Sequence, residues 1–195
     1  MWITPFDRQS VERAWPFADV IKVASGDLMN VNLATWIRDC NQLTEKPIVI
    51  SSGAATVQEV NDALKGWYNW TAPMVLNCSS RYPAELTDYN LGWIDEVQLR
   101  GGGWGLSDHT TTTELACAAV ALGCEVFEKH IRFGTTAPNA PDNGPWAATV
   151  TEFGNYVKTL NIIEQAVFTN EKPTTDFDER IGARRGDNGL RPNND

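Results

Sequence analysis

Six short apolar runs, each followed by a segment of helix length, set the fold class that this chain can adopt. The runs end close to positions 4, 24, 51, 77, 107 and 130 of the 195 residues. The segments between them place apolar residues three to four positions apart, which is the period of an amphipathic helix. No two runs are joined by a hairpin turn, and strands that alternate with helices form parallel sheets. The pattern therefore predicts an α/β fold with about six parallel strands.

The ends of these runs share small polar residues or a histidine, and all of them lie at one edge of the predicted sheet. A single polar strand end is an ordinary turn. Six in one parallel sheet predict a rim of hydrogen-bond donors at the edge where α/β proteins bind ligands. The residues concerned are Thr4, Ser25, Ser51, Ser79, Ser80, Ser107 and His130.

The fifth and sixth runs lead into the only two histidines of the chain, His109 and His130. One helix-length segment, residues 113–122, separates them, so both imidazoles are expected at the same end of neighbouring strands. Two neutral imidazoles can bind a divalent transition metal and leave coordination positions open for substrate. Alternatively, each is a hydrogen-bonded core histidine, which their spacing does not exclude. The neighbouring polar residues favour the metal site.

Composition restricts the partners of the chain. Its formal net charge of −9 leaves no broad basic field to neutralise nucleic acid. Local donors can still bind an anionic substrate, and Lys22, inside an apolar run, either extends to solvent or contacts an anion. No apolar run has the roughly 20 residues that span a membrane, and no signal peptide is recognised at the start. Four cysteines without a CxxC pair predict reduced thiols and a cytoplasmic protein.

The C-terminal third is predicted to contain a long helix and a tail. Residues 169–195 are polar, charged and rich in Gly and Pro, which is typical of a linker or a frayed tail. The domain is therefore expected to span residues 1–168. Within this domain, residues 88–99 predict a weaker helix. The predicted helix over residues 149–168 has an apolar face made of Phe153, Val157, Leu160, Ile163 and Val167.

Six blocks of sequence, in order, resemble the sialic acid synthase family, which includes N-acetylneuraminate, pseudaminic, legionaminic and spore-coat polysaccharide enzymes. The resemblance covers residues 1–168, with a fainter match at residues 180–185. Six collinear blocks are far more specific than any one of them. The blocks are TPFD (4–7), KVASGD (22–27), KPIVISSG (46–53), CSSRYP (78–83), GLSDHT (105–110) and EKH (128–130) followed by PD (141–142).

The resemblance implies a TIM-type (β/α)₈ barrel, of which this chain holds about six of the eight βα units. It also implies condensation of phosphoenolpyruvate with an open-chain N-acetylhexosamine, similar to N-acetylmannosamine, to give a nonulosonic acid. The enol C3 attacks the sugar aldehyde, water attacks C2, and phosphate leaves by C–O cleavage. His109 and His130 match the family's metal ligands, usually for Mn²⁺, with Mg²⁺ or Co²⁺ as alternatives, and the metal polarises the aldehyde.

The resemblance also implies roles for the residues of the rim. Glu128, next to a metal ligand, is expected to act in proton transfer. Lys129 is expected on the opposite face of its strand, because side chains alternate along a strand, so it receives no role. Asp27, Tyr82 and Asp142 match positions that contact the amino sugar. The phosphate and carboxylate of phosphoenolpyruvate are expected to bind Thr4, Lys22, Ser25, Ser51, Ser80 and Ser107.

The sequence departs from the family pattern in several places. Two strands that precede Thr4 in the family have no counterpart, and neither has the C-terminal antifreeze-like domain. Asp27 replaces a glutamate, and Asn143 replaces a histidine. A six-stranded arc has two exposed edges, which natural sheets avoid. We therefore expect a fragment, or one part of a split synthase whose partner chain supplies the missing units.

Two other functions remain open at this point. One is a degenerate barrel that binds a metal and an anion without turnover, which the truncation favours. The other is a relative of 3-deoxy-heptulosonate phosphate synthase. The blocks around His109 and His130 match the sialic acid group better than that enzyme.

Overall fold

A six-stranded parallel sheet forms the centre of the computed structural model, which describes residues 1–67 and 69–168. The strands pair in chain order, each parallel to the next, so the predicted α/β architecture is confirmed. They are β1 (Trp2–Ile3), β2 (Val20–Val23), β3 (Ile48–Ser51), β4 (Met74–Cys78), β5 (Trp104–Asp108) and β6 (Val126–Lys129).

Five α-helices connect or flank the strands of the sheet. Four of them begin with a side chain that accepts a hydrogen bond from the first turn, which satisfies a backbone N–H without an intrahelical partner. At the start of the third, Thr56 and Glu59 form a capping box, with Glu59 N donating to Thr56 Oγ1 at 3.2 Å and Thr56 N donating to Glu59 Oε2 at 2.8 Å. The helices are α1 (Arg8–Ala14), α2 (Val31–Asn41), α3 (Val57–Trp67), α4 (Glu114–Ala121) and α5 (Val150–Val167).

The sheet curls strongly, so that side chains from distant strands meet on its concave face. Lys22 on β2 and Glu128 on β6 lie four strands apart in the sheet, yet Lys22 Nζ is 3.1 Å from Glu128 Oε1. In a flat sheet, four strand spacings would separate them by about 19 Å. The six strands therefore form a curled half-barrel, as expected from the (β/α) barrel resemblance. Within the described residues, no strand pairs with the outer edge of β1 or of β6.

The main core lies between the convex face of the sheet and the helices. Every residue of β3 is buried, which is typical of a parallel strand covered on both faces. Apolar side chains of β2, α2 and α3 such as Ile21, Leu33, Ile37 and Leu64 are fully buried. Each contributes about 1.5–3 kcal/mol by leaving water. The core thus fixes the strands whose carboxyl ends form the rim.

The region before β5 differs from the predicted helix at residues 88–99. It forms two short 3₁₀ helices, Leu86–Asp88 and Leu91–Asp95, instead of an α-helix. Asn90 between them has φ 40°, in the left-handed region, and this conformation interrupts a right-handed helix. The prediction was wrong because the spacing of apolar residues does not reveal a residue whose backbone is in the left-handed region.

The segment after β6 contains a second sheet that the sequence did not predict. β7 (Ile131–Arg132) and β8 (Ala148–Thr149) pair in parallel and enclose a loop that contains a 3₁₀ turn at Pro141–Asn143. Strands of two residues leave no alternation pattern to detect. This small sheet returns the chain to α5 and brings Asp142 close to the end of β6.

Helix α5 buries only part of the predicted face. Leu160 is buried as predicted, together with Tyr156, whereas Val157 is 41% and Val167 38% exposed. The helix packs against α4, and Tyr156, Val157 and Leu160 line an open groove next to β6. Residues 169–195, predicted as a tail, lie outside the described residues. None of the described helices has the length and apolar character needed to cross a membrane.

Candidate active site

A row of polar side chains crosses the concave face of the sheet. Cys78, Ser107 and Glu128 are aligned across β4, β5 and β6. Ser107 Oγ donates to Glu128 Oε1 at 2.6 Å, and the same oxygen accepts from Lys22 Nζ at 3.1 Å. Strand pairing therefore brings together three of the residues singled out in the sequence, Lys22, Ser107 and Glu128.

His109 follows β5 and is only 2% exposed. Its Nδ1 lies 2.7 Å from the carbonyl oxygen of Ser79, so Nδ1 carries the proton and donates it there. Nε2 is then an acceptor, 3.2 Å from the Tyr82 hydroxyl and 3.2 Å from Ser107 Oγ. Burial lowers the pKa of His109 to about 4, with a smaller lowering by His130. The imidazole is neutral near pH 7, which is the form that binds metals.

His130 lies beside His109, with ring centroids 5.1 Å apart and ring planes at 67°. Its Nδ1 donates to the carboxylate of Asp142, which leaves Nε2 without a proton. A carboxylate that holds one imidazole nitrogen fixes the ring orientation and the tautomer. Both histidines therefore use Nδ1 for a protein partner and retain an Nε2 lone pair.

Tyr82 covers the two imidazoles. Its ring stacks on His109 with centroids 4.1 Å apart, and it meets His130 edge-on at 5.6 Å. The indole of Trp146 packs against the other side of Tyr82 at 5.5 Å. Because the single proton of Ser107 goes to Glu128, the Tyr82 hydroxyl is the donor to His109 Nε2.

Two further serines approach each other across Gly53, at the end of β3. Gly53 has φ +55°, and a Cβ built there would lie 2.3 Å from Ser25 Cβ and 3.1 Å from Ser80 Oγ. Only glycine permits this approach. Ser51, next to it in β3, is 1% exposed, and its hydroxyl has no hydrogen-bond partner. An unpaired buried hydroxyl costs free energy, so a polar ligand atom would stabilise it.

Two predicted site residues, Thr4 and Asp27, lie outside the hydrogen-bonded group of Lys22, Ser107 and Glu128. Thr4 follows β1 and is half-buried. Asp27 lies in a 3₁₀ turn, Ser25–Asp27, and accepts from Asn30 Nδ2 at 2.9 Å. Asp142, also predicted to contact the sugar, binds His130 through its carboxylate.

The structure adds residues that the sequence did not single out. The Cys78 thiol donates to the Ser79 carbonyl oxygen at 3.5 Å, and burial raises its pKa, so it stays protonated. Once the strand pairing is known, the register places Cys78 beside Ser107 on the same face of the sheet. Tyr89, from the irregular 86–95 region, accepts from His109 N at 2.7 Å and donates to the Ser107 carbonyl at 3.0 Å. No sequence pattern indicates Tyr89 or Trp146, because both lie in irregular segments.

The donors of the site fit a divalent cation. His109 Nε2 and the Ser107 oxygen lie 3.2 Å apart, and the Ser107 proton is used elsewhere, so a cation that displaces the Tyr82 hydroxyl from Nε2 could be held there. Among residues 1–67 and 69–168, no group of three or more His, Cys, Asp or Glu could hold a metal. His109 and His130 would thus be the protein ligands, and substrate or water would complete the coordination.

The chain is similar to enzymes that make nonulosonic acids. It is 30% identical over 191 residues to the N,N'-diacetyllegionaminic acid synthase of Legionella pneumophila, covering 92% of this chain and 51% of that protein. It is 29% identical over 168 residues to the pseudaminic acid synthase of Helicobacter pylori, covering 84% and 47%. The chain spans about half the length of the curated relatives it matches.

Solved structures show the same fold. The N-acetylneuraminic acid synthetase of Leptospira borgpetersenii, crystallised with citrate, superposes with a TM-score of 0.76 at 24% identity, over 94% of this chain and 63% of that one. A truncated 3-deoxy-D-arabino-heptulosonate 7-phosphate synthase of Thermotoga maritima gives 0.67 at 15% identity, over 85% and 65%. The NeuB family matches residues 1–172, nearly the whole chain, and the protein therefore belongs to the NeuB family.

Proposed function

We propose that this chain binds phosphoenolpyruvate and an N-acetylhexosamine and catalyses their condensation to a nonulosonic acid with release of phosphate. The main support is the concave face, where Lys22, Ser107 and Glu128 lie beside two neighbouring histidines. The names of the relatives, legionaminic and pseudaminic acid synthases, agree with this reaction class.

Phosphoenolpyruvate would bind through hydroxyl groups and one ammonium. Lys22 is the cation nearest the row, and it pairs with Glu128 in the absence of substrate. Charge-assisted hydrogen bonds to phosphate and carboxylate are strong and directional, so they orient the enol. Ser51 has the unpaired hydroxyl that an anion would satisfy. The proposed set is Thr4, Lys22, Ser25, Ser51, Ser80 and Ser107.

The sugar would bind on the side of the histidines. Tyr82 covers this region, and we assign Asp27 and Tyr82 to the amino sugar. Glu128 accepts hydrogen bonds from both Ser107 and Lys22, and we assign it to proton transfer. Asp142 holds His130 in the tautomer that binds a metal, and its contact with the sugar stays a prediction.

His109 and His130 would hold a divalent metal, for which we propose Mn²⁺, with Mg²⁺ or Co²⁺ as alternatives. When bound, the metal acts as a Lewis acid that polarises the sugar aldehyde. Tyr82 and Ser107 restrict the space around His109 Nε2 and exclude bulk water from it. The four free thiols agree with a reducing compartment, and we propose the cytoplasm.

One observation supports a second possibility, binding without turnover. The outer edges of β1 and β6 are unpaired in the described chain, although a closed barrel has eight strands. Full activity would then require two further βα units, supplied by a partner chain or by an extension of this one. Without them, the half-barrel would bind the metal and the anion only.

Phosphate release tests the proposal directly. The purified chain is mixed with phosphoenolpyruvate, N-acetylmannosamine and Mn²⁺, and inorganic phosphate is measured, with His109→Ala and His130→Ala as controls. Both variants are expected to lose Mn²⁺ affinity and nearly all phosphate release. Binding of Mn²⁺ and phosphoenolpyruvate without release favours the second possibility. Absence of both binding events contradicts the proposal.

A further inference from the structure

A buried ion pair lies directly behind the two histidines, on the helix-facing side of the sheet. Asp108 and Lys129 occupy opposite positions in the pairing of β5 with β6. Lys129 Nζ is 3.3 Å from Asp108 Oδ1, and the two side chains are 5% and 0% exposed. Alternation along the strands directs these side chains outward, whereas their neighbours His109 and His130 face the concave side.

The pair also holds the turn that follows His109. Asp108 Oδ1 accepts from Thr110 N at 2.8 Å and from Thr110 Oγ1 at 2.7 Å. Lys129 Nζ donates to the Thr110 carbonyl oxygen, and the ring of Tyr156 on α5 lies 5.7 Å from the same ammonium. The two neighbours of His109 in the chain, Asp108 and Thr110, are therefore both bonded to Lys129, which directly precedes His130.

Neither residue contacts the concave site, and the proposed chemistry does not use them. A buried ion pair contributes little net stability, because its desolvation offsets its attraction, and an apolar pair would hold two strands equally well. Directional bonds to the backbone of Thr110 are what an apolar pair cannot supply. The pair therefore constrains geometry more than it adds stability.

We propose that Asp108 and Lys129 are positioning residues that hold β5 and β6 in the register at which His109 and His130 bind one metal ion together. The proposal rests on the metal assignment made above. Metal ligands depend on the outer residues that orient them, and loss of such residues typically lowers affinity by about 10–100-fold.

The decisive variant is the double substitution Asp108→Asn with Lys129→Met, which removes both charges and preserves volume. The matched control is Lys46→Met, because Lys46 Nζ also binds a backbone carbonyl, that of Ala18, but at the opposite end of the strands. Mn²⁺ affinity is measured by calorimetry at 25 °C, and folding is checked by thermal unfolding. The ¹⁵N signals of the imidazoles are recorded on the metal-free proteins.

The double variant is expected to bind Mn²⁺ at least tenfold more weakly while folded, with shifted imidazole signals, and Lys46→Met to match the wild type. A folded double variant with wild-type affinity overturns the positioning role. A wild-type chain that does not bind Mn²⁺ overturns the metal assignment itself, and this inference with it. If the double variant does not fold, Lys129→Met alone replaces it, since it removes the bonds of the ammonium to Asp108 and to the Thr110 carbonyl, and unchanged affinity in that variant likewise overturns the proposal.

Discussion

Lys22 lies in an otherwise apolar strand, and its ammonium crosses the concave face to reach Glu128 on β6. A lysine that is only partly exposed loses hydration, which an ion pair restores. Glu128 also accepts from Ser107, so its charge is shared between two donors. An incoming phosphate can therefore take over the Lys22 ammonium without leaving Glu128 unpaired.

Substitution of Lys22 by Met is expected to weaken binding of phosphoenolpyruvate by about 2–4 kcal/mol, because the buried phosphate loses a charged partner. Calorimetric titration with phosphoenolpyruvate measures the change. Lys65→Met is the control, since Lys65 forms an exposed pair with Asp62 on α3. Equal affinity of the Lys22 variant and the wild type would show that Lys22 does not bind this substrate.

The buried imidazole of His109 makes the stability of the metal-free chain depend on pH. Its pKa is about 4 in the folded protein, whereas the unfolded chain takes up the proton near 6.5. Between these values the unfolded state binds more protons, so stability rises with pH in this window, by about 3 kcal/mol in total. Urea unfolding from pH 4 to 8 is expected to show a shallower rise for His109→Gln below pH 6.5. Parallel curves for the two proteins over that range would contradict this pKa.

Part of the site could be predicted from residue types alone. The outward direction of Lys129 follows from strand alternation, and the structure confirms it, with Nζ beside Asp108. The bond between His130 and Asp142 could not be predicted, because an irregular loop of about a dozen residues separates them. Tyr89 holds the His109 backbone through a fold-dependent contact that leaves no local pattern.

At the level of elements, the strands and most helices were predictable, because their apolar periods are strong and their ends are punctuated. The burial of α5 was not. Its sequence has apolar residues on more than one face, and only the packing partners decide which face is buried. Here Tyr156 and Leu160 are buried next to α4, whereas Val157 is exposed, and all three line an open groove.

A pair of matched substitutions on α5 tests this orientation. Leu160→Ala is expected to lower the free energy of unfolding by about 2–3 kcal/mol, because it removes a buried side chain. Val157→Ala is expected to change it by less than about 0.5 kcal/mol, because that residue is largely exposed. Urea denaturation measures both values. A larger loss for Val157→Ala than for Leu160→Ala would contradict the orientation of α5 in the structure.

At the level of the whole molecule, the curvature of the sheet brings β2 and β6 to opposite sides of one cavity. Strand order could be predicted from the sequence, since each strand follows the previous one through a crossover. The curvature was expected only from the family resemblance, because side chains alternate along a strand in the same way in a flat and in a curled sheet. The six strands leave a gap between β6 and β1 that two strands would close in an eight-stranded barrel.

A polypeptide of two βα units that completes an eight-stranded barrel should therefore bind this gap. A designed polypeptide of this kind, added at a hundredfold excess over its dissociation constant, is expected to raise the unfolding temperature by roughly 5–10 °C. The control polypeptide has a proline at the centre of each strand, which removes a ladder hydrogen bond and prevents pairing. Thermal unfolding with and without each polypeptide measures the effect. If the two polypeptides raise the temperature equally, or neither does, the open edges of β1 and β6 are not the binding surface.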